Sequence, residues 1–331
     1  MKKLNANFFR VVNLLKDHQY HDGTSIGKVL NITRTAVWKV IKKLQNYGIQ
    51  IESVKGKGYL LCEPLCLLEQ DKIKYYLENK HLDIVIFENI DSTNNYLKLK
   101  KNKAIGICLS EQQTAGKGRL GRDWYSPFGK NIYMSCLYTL HKDISELAGL
   151  SLVISLAIVK TINSYQNKND IFVKWPNDVV GLDNKKIAGS LIEIQAESHG
   201  VSHAIIGIGI NINMVDDDSQ ISQPWTSLQK IFGEYVDRNE LCGKLINNLL
   251  LYLDKFTLQG LQVFKQEWQQ ADCLINKIIT LRHAEEEIEG EVMGLNDKGH
   301  LLLKLGNGAL RAFASGDTSV SRSNAPSTNG S

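Results

Sequence analysis

The chain has 331 residues, with 39 Lys and Arg against 35 Asp and Glu and a formal net charge of +4. That length exceeds the usual single domain, favours two or three compact units and allows a substantial core. The six cysteines (Cys62, Cys66, Cys108, Cys136, Cys242 and Cys273) lack Cys-x-x-Cys pairs and companion histidine clusters, which argues against both a disulfide framework and a zinc site, and no metal-ligating residue is assigned.

Residues 1–10 contain no apolar signal core, and the most apolar run, 147–159, is interrupted by serines and too short to span a bilayer. A cytoplasmic protein with no membrane partner is expected. The charge is unevenly placed: residues 1–64 hold eleven Lys and Arg against four Asp and Glu, leaving 28 against 31 for the rest. Such asymmetry points to a nucleic-acid-binding module joined to a near-neutral body.

In the first module Phe8, Phe9, Val12 and Leu15 mark one helix, and Thr24 is expected to cap a second over 25–30. Thr33 caps a third, whose stripe of Val37, Val40, Ile41 and Leu44 is buried and whose Arg34, Thr35, Lys39, Lys42 and Lys43 face outward; Trp38 is expected to pack. Gly48 closes that helix, and extended runs at 49–54 and 58–61 flank a Lys55-Gly56-Lys57 tip. Three helices and a cationic hairpin predict a winged helix-turn-helix over 1–64, with Thr24, Arg34, Thr35, Lys39, Lys42, Lys43, Lys55 and Lys57 as DNA-binding candidates.

A linking helix is expected over 67–77. Strands are expected at 84–87, 105–109, 131–137, 171–174, 186–194 and 203–212, and helices at 145–164 and 238–256. There is no regular βαβ alternation and no dinucleotide fingerprint, which favours an α+β fold whose central mixed α/β domain, 65–272, is a sheet covered by helices. Short strands at 277–282, 288–293, 300–305 and 310–314 predict a small β barrel over 273–320, and the polar tract 321–331 is expected to be disordered.

The most informative segment is Gln113-Thr-Ala-Gly-Lys-Gly-Arg-Leu-Gly-Arg-Asp-Trp124, followed by Ser126-Pro-Phe-Gly129. Its glycines permit close backbone approach and its Lys117, Arg119 and Arg122 offset negative charge, as in a cradle for phosphate or carboxylate. A P-loop is excluded because Gly118 and Arg119, not a hydroxyl residue, follow Lys117; the kinase partners of a glycine loop are missing as well. Alone, the segment could equally be a solvated loop.

Four further segments accompany it. Asp91-Ser-Thr-Asn-Asn95 offers short polar groups that could read a ligand or cap a helix, and Val173-Lys-Trp-Pro-Asn-Asp178 ends a strand with a cation, an aromatic wall and two polar side chains. Lys186-Ile-Ala-Gly-Ser190 places a lysine beside small residues. Gly207-Ile-Gly-Ile-Asn-Ile-Asn213 is an apolar strand whose two glycines imply a close approach by a backbone or a ligand.

Together these segments closely resemble biotin-protein ligases, in the family's order and spacing. The resemblance covers nearly the whole chain, winged helix and C-terminal β domain included, and so extends to the bifunctional form that also represses the biotin operon. It implies an SH3-like C-terminal barrel and a two-step reaction, in which biotin and ATP with Mg²⁺ give biotinyl-5′-AMP and a lysine of a biotin carboxyl carrier protein of acetyl-CoA carboxylase then takes the biotin. By the family's motif Ser92, Thr93, Asn94 and Gln113 read the ureido head, while Lys117, Gly118, Arg119 and Lys186 meet the carboxyl and phosphate. Gly116, Arg122, Trp124, Asn177, Gly207, Gly209, Asn211 and Trp225 are implied on the nucleotide side, with Trp225 stacking on adenine from a loop over 213–225. Arg119, Lys186 and Asp178 are the implied catalytic set, Asp178 as partner of Mg²⁺ or of the incoming lysine. Biotinyl-5′-AMP is the implied corepressor, acting through a homodimer on operator DNA.

This chain departs from the family in carrying lysine at 117 and leucine at 120 where arginines are commoner. Lysine lacks the planar fork, which ranks Arg119 first as the clamp and leaves Leu120 out. Gly316-Asp317 stands where glycine-glutamate is usual. A lipoate-protein ligase and a biotin-sensing repressor without transferase activity are the alternatives.

Overall fold

The computed structural model describes residues 2–3, 6–100, 105–197, 201–215, 221–283 and 285–320; the tail expected at 321–331 lies outside them. The chain divides into two units, the first made of 1–138, 205–222 and 226–244 and the second of 139–204, 223–225 and 245–331.

The first unit opens with a two-residue strand, β1 (Lys2–Lys3), then α1 (Ala6–Leu15), α2 (Gly23–Leu30) and α3 (Arg34–Asn46), and the hairpin β2 (Ile51–Val54) and β3 (Gly58–Leu61). Phe8, Val11, Val12 and Leu15 of α1 meet Ile26 and Leu30 of α2 and Val37, Ile41 and Leu44 of α3 in one buried cluster, the expected winged-helix core. Thr24 does not cap α2. Asp22 does, accepting from Thr24 N at 2.9 Å and Ser25 N at 3.0 Å, because a carboxylate there reaches the orphan amides of the first turn whereas Thr24 already lies inside it. Thr33 caps α3 as expected, through Ala36 N at 3.1 Å, and Gly48 follows with φ of 84°. Trp38 does not pack; it is 47% exposed.

After a linker, α4 (Gln70–Tyr76) leads to β4 (Ile84–Asn89), α5 (Thr93–Lys98), β5 (Ile105–Ser110) and β6 (Ile132–Leu140). Strands β4 and β5 pair in parallel from Ile84↔Ile107 to Phe87↔Ser110, with α5 as the crossover between them. β5 and β6 pair antiparallel, and β1 lies antiparallel on β4, with Lys2 opposite Asn89 and Lys3 opposite Phe87.

The second unit holds α6 (Leu150–Gln166), β7 (Ile171–Lys174), β8 (Asp178–Gly181), β9 (Lys186–Glu197) and the start of β10 (Val201–Ile210), which passes into the first unit from Ile205 on. The stretch Ile144–Gln166 is long and apolar enough to cross a membrane by composition, but Val153, Ile154, Leu156, Ala157 and Ile158 are buried within the protein, as in a core helix. β7, β8 and β9 form an antiparallel meander with Lys174 opposite Asp178 and Asp178 opposite Gly189. Strand β8 was not anticipated, because Asp178-Val-Val-Gly181 is too short to carry a period.

Next come α7 (Leu228–Phe232), in the first unit, α8 (Arg238–Gln259), which runs through both, and α9 (Lys265–Ala271), in the second. The C-terminal part is a five-stranded sheet of β11 (Ile278–His283), β12 (Glu286–Leu295), β13 (Leu301–Leu305), β14 (Leu310–Phe313) and β15 (Asp317–Val320), in the order β14-β13-β12-β11-β15. Four of these strands match the expected runs. β15 is an addition, pairing Asp317 to Val320 with Arg282 to Ile279.

Candidate functional site

In the first unit the polar segment after β4 meets the start of the cradle. Gln113 Oε1 accepts from both Thr93 N at 2.9 Å and Thr93 Oγ1 at 3.1 Å, and Ser135, beneath them on β6, lies 2.7 Å from Thr93 Oγ1 and 2.5 Å from Asn94 Oδ1. Ser92, Thr93 and Asn94 are all buried, a costly placement for polar groups that carries a requirement for partners. Ser92 also caps α5, accepting from Asn95 N at a long 3.5 Å, as the capping alternative for this segment expects. Asp91 holds Asn95 Nδ2 at 2.9 Å, and that bond keeps its carboxyl below the usual range.

The cradle is a small hairpin. Gly118 N donates to Arg122 O at 2.7 Å, Trp124 N to Gly116 O at 2.9 Å, and Lys117 bridges Asp123. Its tip is a 3-10 turn over Arg119–Gly121 in which Leu120 takes φ of 55°, a conformation disfavoured for a branched side chain. Leu120 is 75% exposed; Lys117 and Arg122 are exposed, while Arg119 is half-buried. Gly116 has no room for a Cβ, which would fall 2.7 Å from Trp124 O.

The glycines of β10 are occupied by the protein itself. A Cβ on Gly207 would fall 2.5 Å from Asn94 Oδ1, and one on Gly209 would overlap the Trp124 indole. The close approach inferred for this strand is therefore made by two of the other candidate side chains, which lie across it. Asn211, buried, donates from Nδ2 to Thr226 O at 3.2 Å and accepts Leu228 N at 3.1 Å through its backbone oxygen.

Below the cradle lies an ion pair that no local pattern announces. Arg238, at the start of α8, pairs with Glu111 at 2.8 Å, both side chains fully buried, and also donates to Asn131 O and Cys66 O. Glu111 immediately precedes Gln112 and Gln113, and its backbone oxygen accepts Gly129 N at 3.0 Å. Both ends of the ligand segment are thus tied to one carboxylate residue. Glu111 and Arg238 are separated by 127 positions, so only the fold brings them together.

In the second unit Lys186 Nζ pairs with Asp178 Oδ1 at 2.8 Å, both half-buried. Lys186 N donates to Pro224 O at 3.1 Å, and an isolated β-bridge joins Lys186 to Trp225. Asn177 Nδ2 donates to Ser190 O at 2.7 Å. Trp175 is not an aromatic wall for a ligand: it is 2% exposed, its Nε1 donates to Gly299 O at 3.2 Å and its own oxygen accepts the Thr318 hydroxyl, so it fastens the C-terminal sheet. Among the described residues no group of three or more His, Cys, Asp or Glu could hold a metal ion. One carboxylate, Asp178, suits Mg²⁺ only where substrate phosphates and water complete the shell.

On the winged helix, Thr24, Arg34, Thr35, Lys39 and Lys42 are exposed, and so are Lys55 and Lys57 at the wing tip, where Gly56 has φ of 86°. Lys43 is not on that face. Its ammonium pairs with the buried Glu88 and lies 5.0 Å from the Phe8 ring, because residue 43 falls on the flank of α3 shared with Val40 and Tyr47. Part of the loop assigned to 213–225, residues 216–220, lies outside the described residues.

The chain is similar to known proteins over nearly its whole length. The chain matches the biotin/lipoate A/B protein ligase family over residues 86–211, an HTH domain over 9–60 and the biotin protein ligase C-terminal domain over 274–321. It is 35% identical to the bifunctional ligase/repressor BirA of Salmonella typhimurium over 94% of this chain and 96% of that one, and 34% identical to the BirA of Escherichia coli over the same shares. Among solved structures it is similar to a biotin protein ligase from Aquifex aeolicus in complex with biotin and ATP, with a TM-score of 0.62 and 29% identity, covering 73% of this chain and 99% of that one.

Proposed function

The chain belongs to the family of bifunctional biotin-protein ligases and repressors, and from that premise we propose how its residues divide the work. It is a biotin-protein ligase that also carries a repressor's DNA-binding module. In the first step a biotin carboxylate oxygen attacks the α-phosphorus of ATP, the bond to the β-phosphate breaks, and pyrophosphate leaves. In the second, a carrier lysine amine attacks the acyl carbon of biotinyl-5′-AMP, AMP leaves, and the amine loses a proton. Mg²⁺, when bound, supplies neutralisation of the phosphate charge.

Two anions must meet in the first step, so fixed cations at the meeting point are the main catalytic requirement. Arg119 takes this role first, with Lys117, Gly118 and Lys186 on the same carboxyl and phosphate oxygens. Ser92, Thr93, Asn94 and Gln113 bind the ureido head; the observation that carries this reading is the pair of bonds from Thr93 to Gln113, which fixes a buried polar cluster at the foot of a cationic hairpin. Gly116, Arg122, Trp124, Asn177, Asn211 and Trp225 serve the nucleotide, and Gly207 and Gly209 serve it by making room for the Asn94 and Trp124 side chains. Of the two roles open to Asp178, partner of the incoming lysine is favoured, since an ammonium is the partner it already holds.

The proposed partners are the biotin carboxyl carrier protein of acetyl-CoA carboxylase and an operator controlling biotin synthesis, bound by a homodimer that biotinyl-5′-AMP promotes. Biotin-dependent exchange of pyrophosphate into ATP tests the adenylation step: exchange is expected with biotin and Mg²⁺, and its absence would remove the reaction. Sedimentation with and without biotinyl-5′-AMP tests the dimer, with unchanged association counting against the switch.

A further inference from the structure

The exposed face of α3 is not purely polar. Its exposed residues are Arg34, Thr35, Trp38, Lys39, Lys42 and Asn46. With 3.6 residues per turn they form one continuous strip, in which Trp38 and Lys42 run along the middle and Arg34 and Lys39 stand towards the borders. Val37, Ile41 and Leu44 make up the buried side, so the helix is anchored without help from the indole. Trp38, 47% exposed, is the one large hydrophobic side chain that α3 leaves in water. Lys43 is turned away to Glu88, and the cations left around Trp38 are Arg34, Lys39 and Lys42. Gly27, where a Cβ would fall 2.8 Å from Ile32 O, keeps the turn between α2 and α3 tight, as a helix-turn-helix that offers its second helix to a groove requires.

A half-exposed indole still has apolar area to bury, and its surroundings say against what. Flanking cations bring a phosphate backbone to this face, but phosphate contacts position a protein without reading sequence. In an intact duplex the flat faces of the bases stay stacked inside. The base edges in the major groove are donors and acceptors with one apolar exception, the C5-methyl group of thymine. The residues near the start of a recognition helix are those that reach base edges, and Trp38 lies one turn in from Arg34, the first residue of α3. We propose that Trp38 is a specificity-determining residue whose ring covers a thymine methyl in each half of the operator, while Arg34, Lys39 and Lys42 hold phosphates beside it. The inference rests on the reading that the winged helix binds an operator as a homodimer with biotinyl-5′-AMP.

The test starts from a duplex selected out of a random-sequence pool by the full chain with biotinyl-5′-AMP. Its thymines are replaced one at a time by uracil, which removes only the methyl group, and Kd is read by fluorescence anisotropy at one fixed salt concentration. Wild-type protein is expected to lose about fourfold in affinity at one thymine of each half-site, the worth of a single methyl group losing its apolar contact. Trp38→Ala binds the thymine and uracil duplexes equally at that position, whereas Trp38→Phe, which keeps a ring, still discriminates. Lys42→Ala discriminates as the wild type does, with weaker binding that depends less on salt. A Trp38→Ala protein that still discriminates fourfold, or a wild-type protein indifferent to every uracil, overturns the proposal. A pool that yields no enriched sequence would mean instead that the operator-binding reading had failed, and the proposal with it.

Discussion

Arg119→Ala is expected to lower kcat/KM for biotin adenylation by about a hundredfold, the usual consequence of removing one fixed donor from a developing anionic centre. Three cations stand in the cradle, but the structure distinguishes them. Lys117 and Arg122 are exposed, where water competes with any anion, while Arg119 is half-buried in the 3-10 turn at the hairpin tip. Only a guanidinium presents a planar fork to a carboxylate and a phosphate together, so Arg119→Lys should recover charge without geometry and fall between the two. The measurements are single-turnover formation of biotinyl-5′-AMP and its rate of escape. Formation and retention equal to wild type would show that another residue is the clamp.

Arg238→Ala should have the largest effect on stability, about 3–5 kcal/mol, because it strands the Glu111 carboxylate in a fully buried site. Burial alone would weaken the guanidinium's hold on its proton, but Glu111 beside it outweighs that and keeps it charged. Replacing both partners with apolar residues, Glu111→Leu with Arg238→Met, should cost clearly less than the single change, since no charge is then left alone. Urea unfolding of the wild-type protein and the two variants decides this. A loss below about 1 kcal/mol for Arg238→Ala would put the pair in the class of surface ion pairs.

Local signals carried most of the fold. The apolar stripes of the first and third helices, the Thr33 cap and four of the five C-terminal strands stand where period and turn residues put them. The misses at Trp175 and Lys43 share one cause, namely that their partners lie far off in the chain. Nothing near Trp175 says that its indole reaches Gly299, and nothing near Lys43 says that Glu88 awaits it. Lys43 has the composition of a DNA contact and the helix position of a packing residue, and the wheel angle decided against the composition. The glycines at 207 and 209 mark a close approach, but its occupants are the side chains of Asn94 and Trp124 rather than a backbone or a ligand, and only the assembled strands reveal them. At the start of α2 Asp22 and Thr24 look equally suitable as caps in the sequence, and only the position of the first turn selects Asp22.

The central claim is transfer of biotin through an adenylate to a protein lysine, and it is tested most directly by weighing the acceptor. The protein is incubated with biotin, ATP, Mg²⁺ and a purified biotin carboxyl carrier domain, and the carrier is measured by intact-mass spectrometry. The account predicts a gain of one biotin per carrier, dependent on ATP and abolished when the acceptor lysine is changed to arginine. An unchanged carrier mass would contradict it and leave a biotin-sensing repressor; a gain seen with lipoate in place of biotin would assign the transfer to the other acid.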